Sequence, residues 1–165
     1  MNYAQINKFD IANGPGVRVS LFVSGCPIHC PGCFNQETWD FAGGKHFTEN
    51  TMEEIFASMN DHIAGLSILG GEPLADQNAV DVAWLTITFK QRFPDKTVWL
   101  WTGYEWSKIQ YYPLIMGIDV CVAGPFDVTK RDLSLKWRGS SNQQVIDVKK
   151  TKQTGKVVLY EENHH

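Results

Sequence analysis

Cys26, Cys30 and Cys33 stand with three and then two residues between them in the segment Gly25-Cys26-Pro27-Ile28-His29-Cys30-Pro31-Gly32-Cys33-Phe34-Asn35. Spacing this short lets all three thiolates close on one metal centre, and it leaves one coordination position with no nearby cysteine. A structural zinc site normally takes four protein ligands, usually as two well-separated pairs. The only other cysteine, Cys121, lies in the apolar run Asp119-Val120-Cys121-Val122-Ala123 and reads as a buried core thiol, while His29 points out of a tight loop. Both stay open as alternative fourth ligands. An iron-sulfur cluster fits the spacing better, because thiolates are its usual ligands and a cubane held by three of them leaves one iron open to a substrate. Pro27, Pro31 and Gly32 suit a backbone folded round such a cluster.

The elements that must position this loop alternate between strand and helix patterns. Val17 to Val23 reads as the first strand. After a polar loop through Gly43 and Gly44, a helix with its N-cap near Asn50 or Thr51 places Met52, Ile55, Phe56, Met59 and Ile63 at helical spacing. Leu66 to Leu69 is a short strand, followed by Gly70-Gly71-Glu72-Pro73 and a helix from about Ala79 to Phe93, stopped by Pro94. Val98 to Trp101 is a third strand, Trp106 to Met116 a third helix in spite of Pro113, and Asp119 to Ala123 a fourth strand. This order predicts an α/β fold with a mostly parallel sheet. Each strand ends in a turn: Ser24-Gly25, Gly70-Gly71, Thr102-Gly103 and Gly124-Pro125. Parallel sheets bind ligands beyond the carboxyl ends of their strands, so the four turns are expected to face one site. Beyond Phe126 the pattern weakens, with Ser141 to Val148 and Lys156 to Tyr160 as further strands and Thr151 to Gly155 as a turn.

With 165 residues, 43% apolar and 20% charged, the chain has the make-up of one globular domain, 1–165, with its core over about 15–147. It is too short for a complete eight-unit barrel, which typically needs about 250 residues. A net charge of -3 gives no general ground for binding nucleic acid or membrane. Lys130, Arg131, Lys136 and Arg138 form a basic stretch, but Asp127 and Asp132 dilute it. No run approaches the roughly 20 apolar residues of a membrane span, and the N-terminus lacks the regions of a signal peptide. A cytoplasmic location with reduced thiols is expected, which favours a metal or redox site over disulfides. His164 and His165 are given no metal role. Trp99 and Trp101 share a strand face and read as packing; Tyr104 either reaches the site or packs on the sheet; Asp10 and Arg18 read as surface or sheet-edge charges.

The cysteine spacing, at the end of a first strand in a βα chain, resembles that of the radical S-adenosylmethionine enzymes. More narrowly, Asn13-Gly14-Pro15-Gly16-Val17-Arg18, Cys30-Pro31-Gly32-Cys33-Phe34-Asn35, Trp101-Thr102-Gly103-Tyr104, Gly124-Pro125-Phe126 and Trp137-Arg138-Gly139-Ser140-Ser141-Asn142-Gln143 resemble the anaerobic ribonucleotide reductase activating enzymes. The chain departs from the pattern at Asn13, where many members have aspartate, and at Gln144, where arginine is frequent. The resemblance implies a partial β/α barrel with a radical S-adenosylmethionine core and a 4Fe-4S cluster on Cys26, Cys30 and Cys33. The open iron is then chelated by the amino and carboxylate groups of S-adenosylmethionine. It also implies that Gly70, Gly71 and Glu72 hold the cofactor's amino group, and that Gly32, Cys33 and Phe34 approach its adenine. Arg138 and Ser140 either hold the cofactor or belong to a docking loop. The implied partners are the large subunit of the anaerobic reductase, on which a glycyl radical is made, and a low-potential electron donor such as reduced flavodoxin. The alternatives are an activase of another glycyl-radical enzyme of the formate-lyase type, a radical enzyme for a small molecule, an iron-sulfur electron carrier and a zinc-binding module.

Overall fold

Strands β2 (Val17–Val23), β4 (Ile63–Gly70), β5 (Thr97–Thr102) and β6 (Val120–Ala123) pair in parallel, in that order, at the centre of one sheet. The structure is a computed structural model and describes residues 1–162, so His164 and His165 lie outside the described residues. The flanks are antiparallel: β1 (Asn2–Asp10) on β2, β3 (Lys45–His46) on β1, and β7 (Gln144–Asp147) on β6. The resulting order is β3-β1-β2-β4-β5-β6-β7, a mixed α/β sheet open at β3 and β7.

Period-two alternation gives this sheet two distinct faces. Val19, Leu21 and Val23, Leu66 and Ile68, Val98 and Leu100, and Cys121 share the main core with α1 (Glu49–Ala57) and α2 (Asp76–Arg92), which contribute Ile55, Phe56, Val82, Leu85 and Phe89. The alternate positions carry Arg18, Ser20, Ser67 and a second cluster of Trp99, Val120 and Val122, against which Trp101, Trp137 and Tyr160 pack. Trp99 and Trp101 therefore pack as their shared face implies, with ring centroids 5.8 Å apart.

Arg18 is not a sheet-edge charge, because its side chain is fully buried on this second face. Its guanidinium donates to Ser67 Oγ at 2.8 Å, Thr97 Oγ1 at 2.9 Å, and the carbonyls of Leu66 at 3.0 Å and Thr97 at 2.9 Å. Burial lowers its pKa to about 10, against the opposing pull of Asp119, Tyr160 and Asp10. Asp10 is buried as well, accepting from Ser20 Oγ and Asn13 Nδ2, each at 2.6 Å. A charge at the second position of a strand reads as an edge residue only while the opposite face is taken to be solvent. Here the neighbouring strands supply hydroxyls and carbonyls at that level.

Several boundaries differ from expectation for local reasons. β1 is half polar because it lies on a flank, with Phe9 exposed, and its sequence gives little strand signal. Thr48, not Asn50 or Thr51, caps α1 in a capping box with Thr51, and Ile63 begins β4 instead of continuing that helix. α2 starts at Asp76. Pro113 splits the third helix into α3 (Trp106–Ile109) and a 3-10 turn, Pro113–Gly117. The expected turn at Thr151 to Gly155 is mostly α4 (Val148–Thr154), capped by the Asp147 carboxylate accepting from Lys150 N. Lys156 to Tyr160 makes only an isolated bridge between Leu159 and Ile146. Among the described residues no helix is long and apolar enough to cross a membrane.

Arg18→Met keeps the apolar stem but leaves two hydroxyls and two carbonyls without their donor. The expected loss is on the order of 3 kcal/mol, which for a chain of this size lowers Tm by roughly 10 °C. Thermal unfolding of the metal-free protein measures it, and an unchanged Tm contradicts the role given to Arg18.

Candidate metal-cluster site

The cysteine loop begins where β2 stops and is tied at its base by Gly25 N to Thr38 O at 2.6 Å and Cys26 N to Trp39 O at 3.1 Å. His29 takes a positive φ of 52° and lays its ring flat on Trp39, 4.3 Å between centroids and 4° from parallel. Its imidazole is thus engaged with Trp39. Gly32 has φ 72°, and a Cβ there would meet Val128 Cγ2 at 3.0 Å, so the last turn before Cys33 needs glycine on both counts. Cys121 is fully buried on the helix-facing side of β6, where desolvation pushes its thiol far up.

The three thiols line one cavity of about 430 Å³ with Gly70, Gly71 and Glu72. Thr102, Gly103 and Gly124 also line it, so the turns after β4, β5 and β6 meet the loop that follows β2. Backbone amides are aimed at the sulfurs: Asn35 N donates to Cys33 Sγ at 3.4 Å. Burial pushes the Cys26 and Cys30 thiols up, opposed by the amides of His29 and Ile28 at Cys26 and of Phe126 and Cys30 at Cys30. Such N–H dipoles favour anionic sulfur and are one of the levers by which a protein tunes an iron-sulfur cluster. Among the described residues no three cysteine, histidine, aspartate or glutamate side chains gather tightly enough for a single ion. A cubane instead holds its ligands at separate corners, and a set of thiols alone, with amides directed at them, fits that group.

The turn after β4 is built against the cysteine loop. Gly71 N donates to Val23 O at 2.8 Å and Glu72 N to Gly25 O at 2.7 Å. A Cβ on Gly71 would stand 2.5 Å from Gly25 O, so no other residue allows this approach. The Glu72 carboxylate is not solvated; only 1% of the residue is exposed. It accepts from Gly103 N at 2.6 Å, Thr102 Oγ1 at 2.8 Å and Leu74 N at 2.9 Å. Burial raises its pKa to about 7, with those three bonds pulling down.

Phe34 sits half exposed at the mouth, against Phe126 at 4.9 Å and beneath the Arg131 guanidinium at 4.9 Å. Trp101 also reaches the cavity, with Nε1 donating to Trp137 O at 2.6 Å. Arg138 lines the cavity while donating to the carbonyls of Ser141 and Gln143, whereas Ser140 is buried with Oγ accepting from Asp127 N at 3.1 Å. Asn13 reaches the cavity wall; Gln144 stands exposed at the start of β7, and Tyr104 packs against the main core. The sequence places Thr102 in a turn facing the site without giving its hydroxyl a role, and it gives no sign of a role for Asn78. The first shows only as a hydroxyl in a strand-end turn, and the second only as a polar residue on the buried side of a helical first turn.

The raised pKa of Glu72 means that the native protein holds this proton more tightly than the unfolded chain. The stability it contributes is fully present below about pH 4.5 and is lost as pH rises to about 7. Relative to Glu72→Gln, which does not titrate, the metal-free wild type is expected to lose about 3 kcal/mol across that window. Urea unfolding at each pH reads the difference, and a gap that does not change with pH contradicts the assignment.

Residues 12–146 match the family described as a 4Fe-4S single cluster domain. The chain is 41% identical over 146 residues to the anaerobic ribonucleoside-triphosphate reductase-activating protein of Enterobacteria phage T4, covering 88% of this chain and 93% of that one. It is 42% identical over 150 residues to the protein of the same name from Escherichia coli (strain K12), and 41% over 150 residues to that from Vibrio cholerae, in both cases covering 88% of this chain and 97% of the relative. The chain belongs to the family of anaerobic ribonucleoside-triphosphate reductase-activating proteins.

Proposed function

We propose that this chain is a single-domain radical S-adenosylmethionine activase with a partial β/α barrel core, acting in the cytoplasm on the large subunit of the anaerobic ribonucleotide reductase. The observation that carries the reading is a cavity wall shared by three thiols and the Gly70–Glu72 turn, with His29 stacked away on Trp39 and Cys121 on the opposite face of the sheet. Cys26, Cys30 and Cys33 would hold a 4Fe-4S cluster and leave one iron for the cofactor. When bound, the cluster supplies one electron that splits the sulfonium of S-adenosylmethionine into methionine and a 5'-deoxyadenosyl radical, which then takes a hydrogen atom from a glycine of the partner.

The protein's own residues do the holding and aiming. Gly70 and Gly71 offer backbone at the end of β4, and Glu72 offers a buried carboxylate, for the cofactor's ammonium. Three of the four lone-pair positions on the Glu72 carboxylate are taken by Gly103, Thr102 and Leu74, which fixes its orientation before any ligand arrives. Cys33 and Phe34 line the cavity and, with Gly32 in the turn just before them, would approach the adenine. An open mouth lined by half-exposed Phe34 and by Leu133, 81% exposed, suits a substrate that is a loop of another protein. The electron comes from a low-potential donor such as reduced flavodoxin.

After anaerobic reconstitution with iron and sulfide and chemical reduction, the wild type is expected to convert S-adenosylmethionine to 5'-deoxyadenosine and methionine. Cys30→Ala is expected to form neither product above background, as read by chromatography. Retained cleavage by the variant, or none by a fully loaded wild type, overturns the ligand assignment.

A further inference from the structure

Past the last rung of the β2–β4 ladder, Val23 opposite Gly70, the two chains part: one enters the cysteine loop and the other the Gly-Gly-Glu turn. Asn78, in the first turn of α2 and only 1% exposed, spans the gap. Its Nδ2 donates to Ser24 O at 3.1 Å on the first chain and to Glu72 O at 3.0 Å on the second, with Gly25 O at 3.5 Å as a longer third contact. A primary amide carries two hydrogens in fixed directions, and here each is assigned to a carbonyl from a different strand end. No other side chain makes such a bridge among the hydrogen bonds described at this junction.

We infer that Asn78 is a positioning residue: with the approach already fixed by the bonds from Gly71 N to Val23 O and Glu72 N to Gly25 O, it sets the peptide orientation between the loop that holds the cluster and the turn that receives the cofactor's ammonium. The inference rests on the proposed activase reading and adds the device that keeps its two half-sites in register. The cysteine loop has independent anchors at Thr38 and Trp39, so it survives loss of the bridge. The Glu72 carbonyl does not share those anchors. Without Asn78 the carbonyl keeps only the longer bond from Ala75 N at 3.2 Å, within its own turn, and loses the donor that ties its peptide plane to the chain leaving β2. Cluster assembly and cofactor binding therefore separate: the first depends on the loop, the second on the bridge.

The test uses Asn78→Asp, nearly isosteric but with no hydrogen to give, and Asn78→Ser, whose hydroxyl has one hydrogen and is too short to reach both carbonyls. Each is reconstituted, assayed for iron and sulfide, reduced and titrated with S-adenosylmethionine while the electron paramagnetic resonance spectrum of the cluster is recorded. Both variants are expected to load iron and sulfide to the wild-type level and to need at least tenfold more S-adenosylmethionine for the spectral change, with kcat lowered less than affinity. Arg18→Met controls for lost stability, since it touches neither half-site and is expected to titrate like the wild type. Wild-type affinity in whichever Asn78 variant folds overturns the inference, as does an Arg18→Met shift as large as that of the Asn78 variants. A loaded wild type that shows no spectral response to S-adenosylmethionine refutes the activase reading instead, and the inference falls with it.

Discussion

Where β2 and β4 end side by side, the hydrogen bonds from Gly71 N to Val23 O and from Glu72 N to Gly25 O carry the parallel ladder one step past the sheet. That step puts the start of a cysteine loop against the start of a glycine turn with no side chain between them, because Gly71 lacks the Cβ that would strike Gly25 O. The rest of the site follows from this contact. The cysteine loop folds back on Thr38 and Trp39, Glu72 reaches across to the end of β5, and Asn78 closes the gap from the first turn of α2. A buried carboxylate that accepts three bonds from fixed donors is costly to desolvate, but it joins two strand ends rigidly.

The same logic explains the unusual second face of the sheet. Helices cover one side with an ordinary aliphatic core, while the other carries a buried arginine, serines and tryptophans. Arg18 binds hydroxyls and carbonyls of β4 and β5 at the amino ends of the strands, so polar side chains hold that end together as the glycine and glutamate turns hold the carboxyl end. Between the two lie Trp99, packed in the second cluster, and Trp101, which lines the cavity. The cavity is thereby shaped by strands on one side and by the loop through Phe126, Leu133 and Trp137 on the other.

Much of this was legible in the sequence because its signals are local. Cysteine spacing, the apolar runs of β2, β5 and β6, and glycine-bearing turns at strand ends name the parallel centre and the meeting point of the turns. What stayed hidden depends on partners distant in the chain. Arg18 looked like an edge charge because Ser67 and Thr97 lie 49 and 79 residues away. The burial of Glu72 has no sign in its own turn because its donors come partly from residues 102 and 103. Asn78 carried no signal, since a side-chain amide bridging two backbone carbonyls leaves no sequence pattern. β1 was missed because its register against β2 shifts between Tyr3 and Gln5 and again between Asn7 and Asp10, which breaks the alternation a half-buried strand would show.

If this geometry aims a radical at a glycine of a partner protein, as proposed above, the radical must come to rest on that partner. The direct measurement is electron paramagnetic resonance on the reconstituted, reduced chain incubated anaerobically with S-adenosylmethionine and the large subunit of the anaerobic reductase. A glycyl radical doublet is expected on the reductase subunit, lost when that subunit's acceptor glycine is replaced by alanine. A fully loaded protein that consumes S-adenosylmethionine yet leaves the reductase without that signal would contradict the proposal.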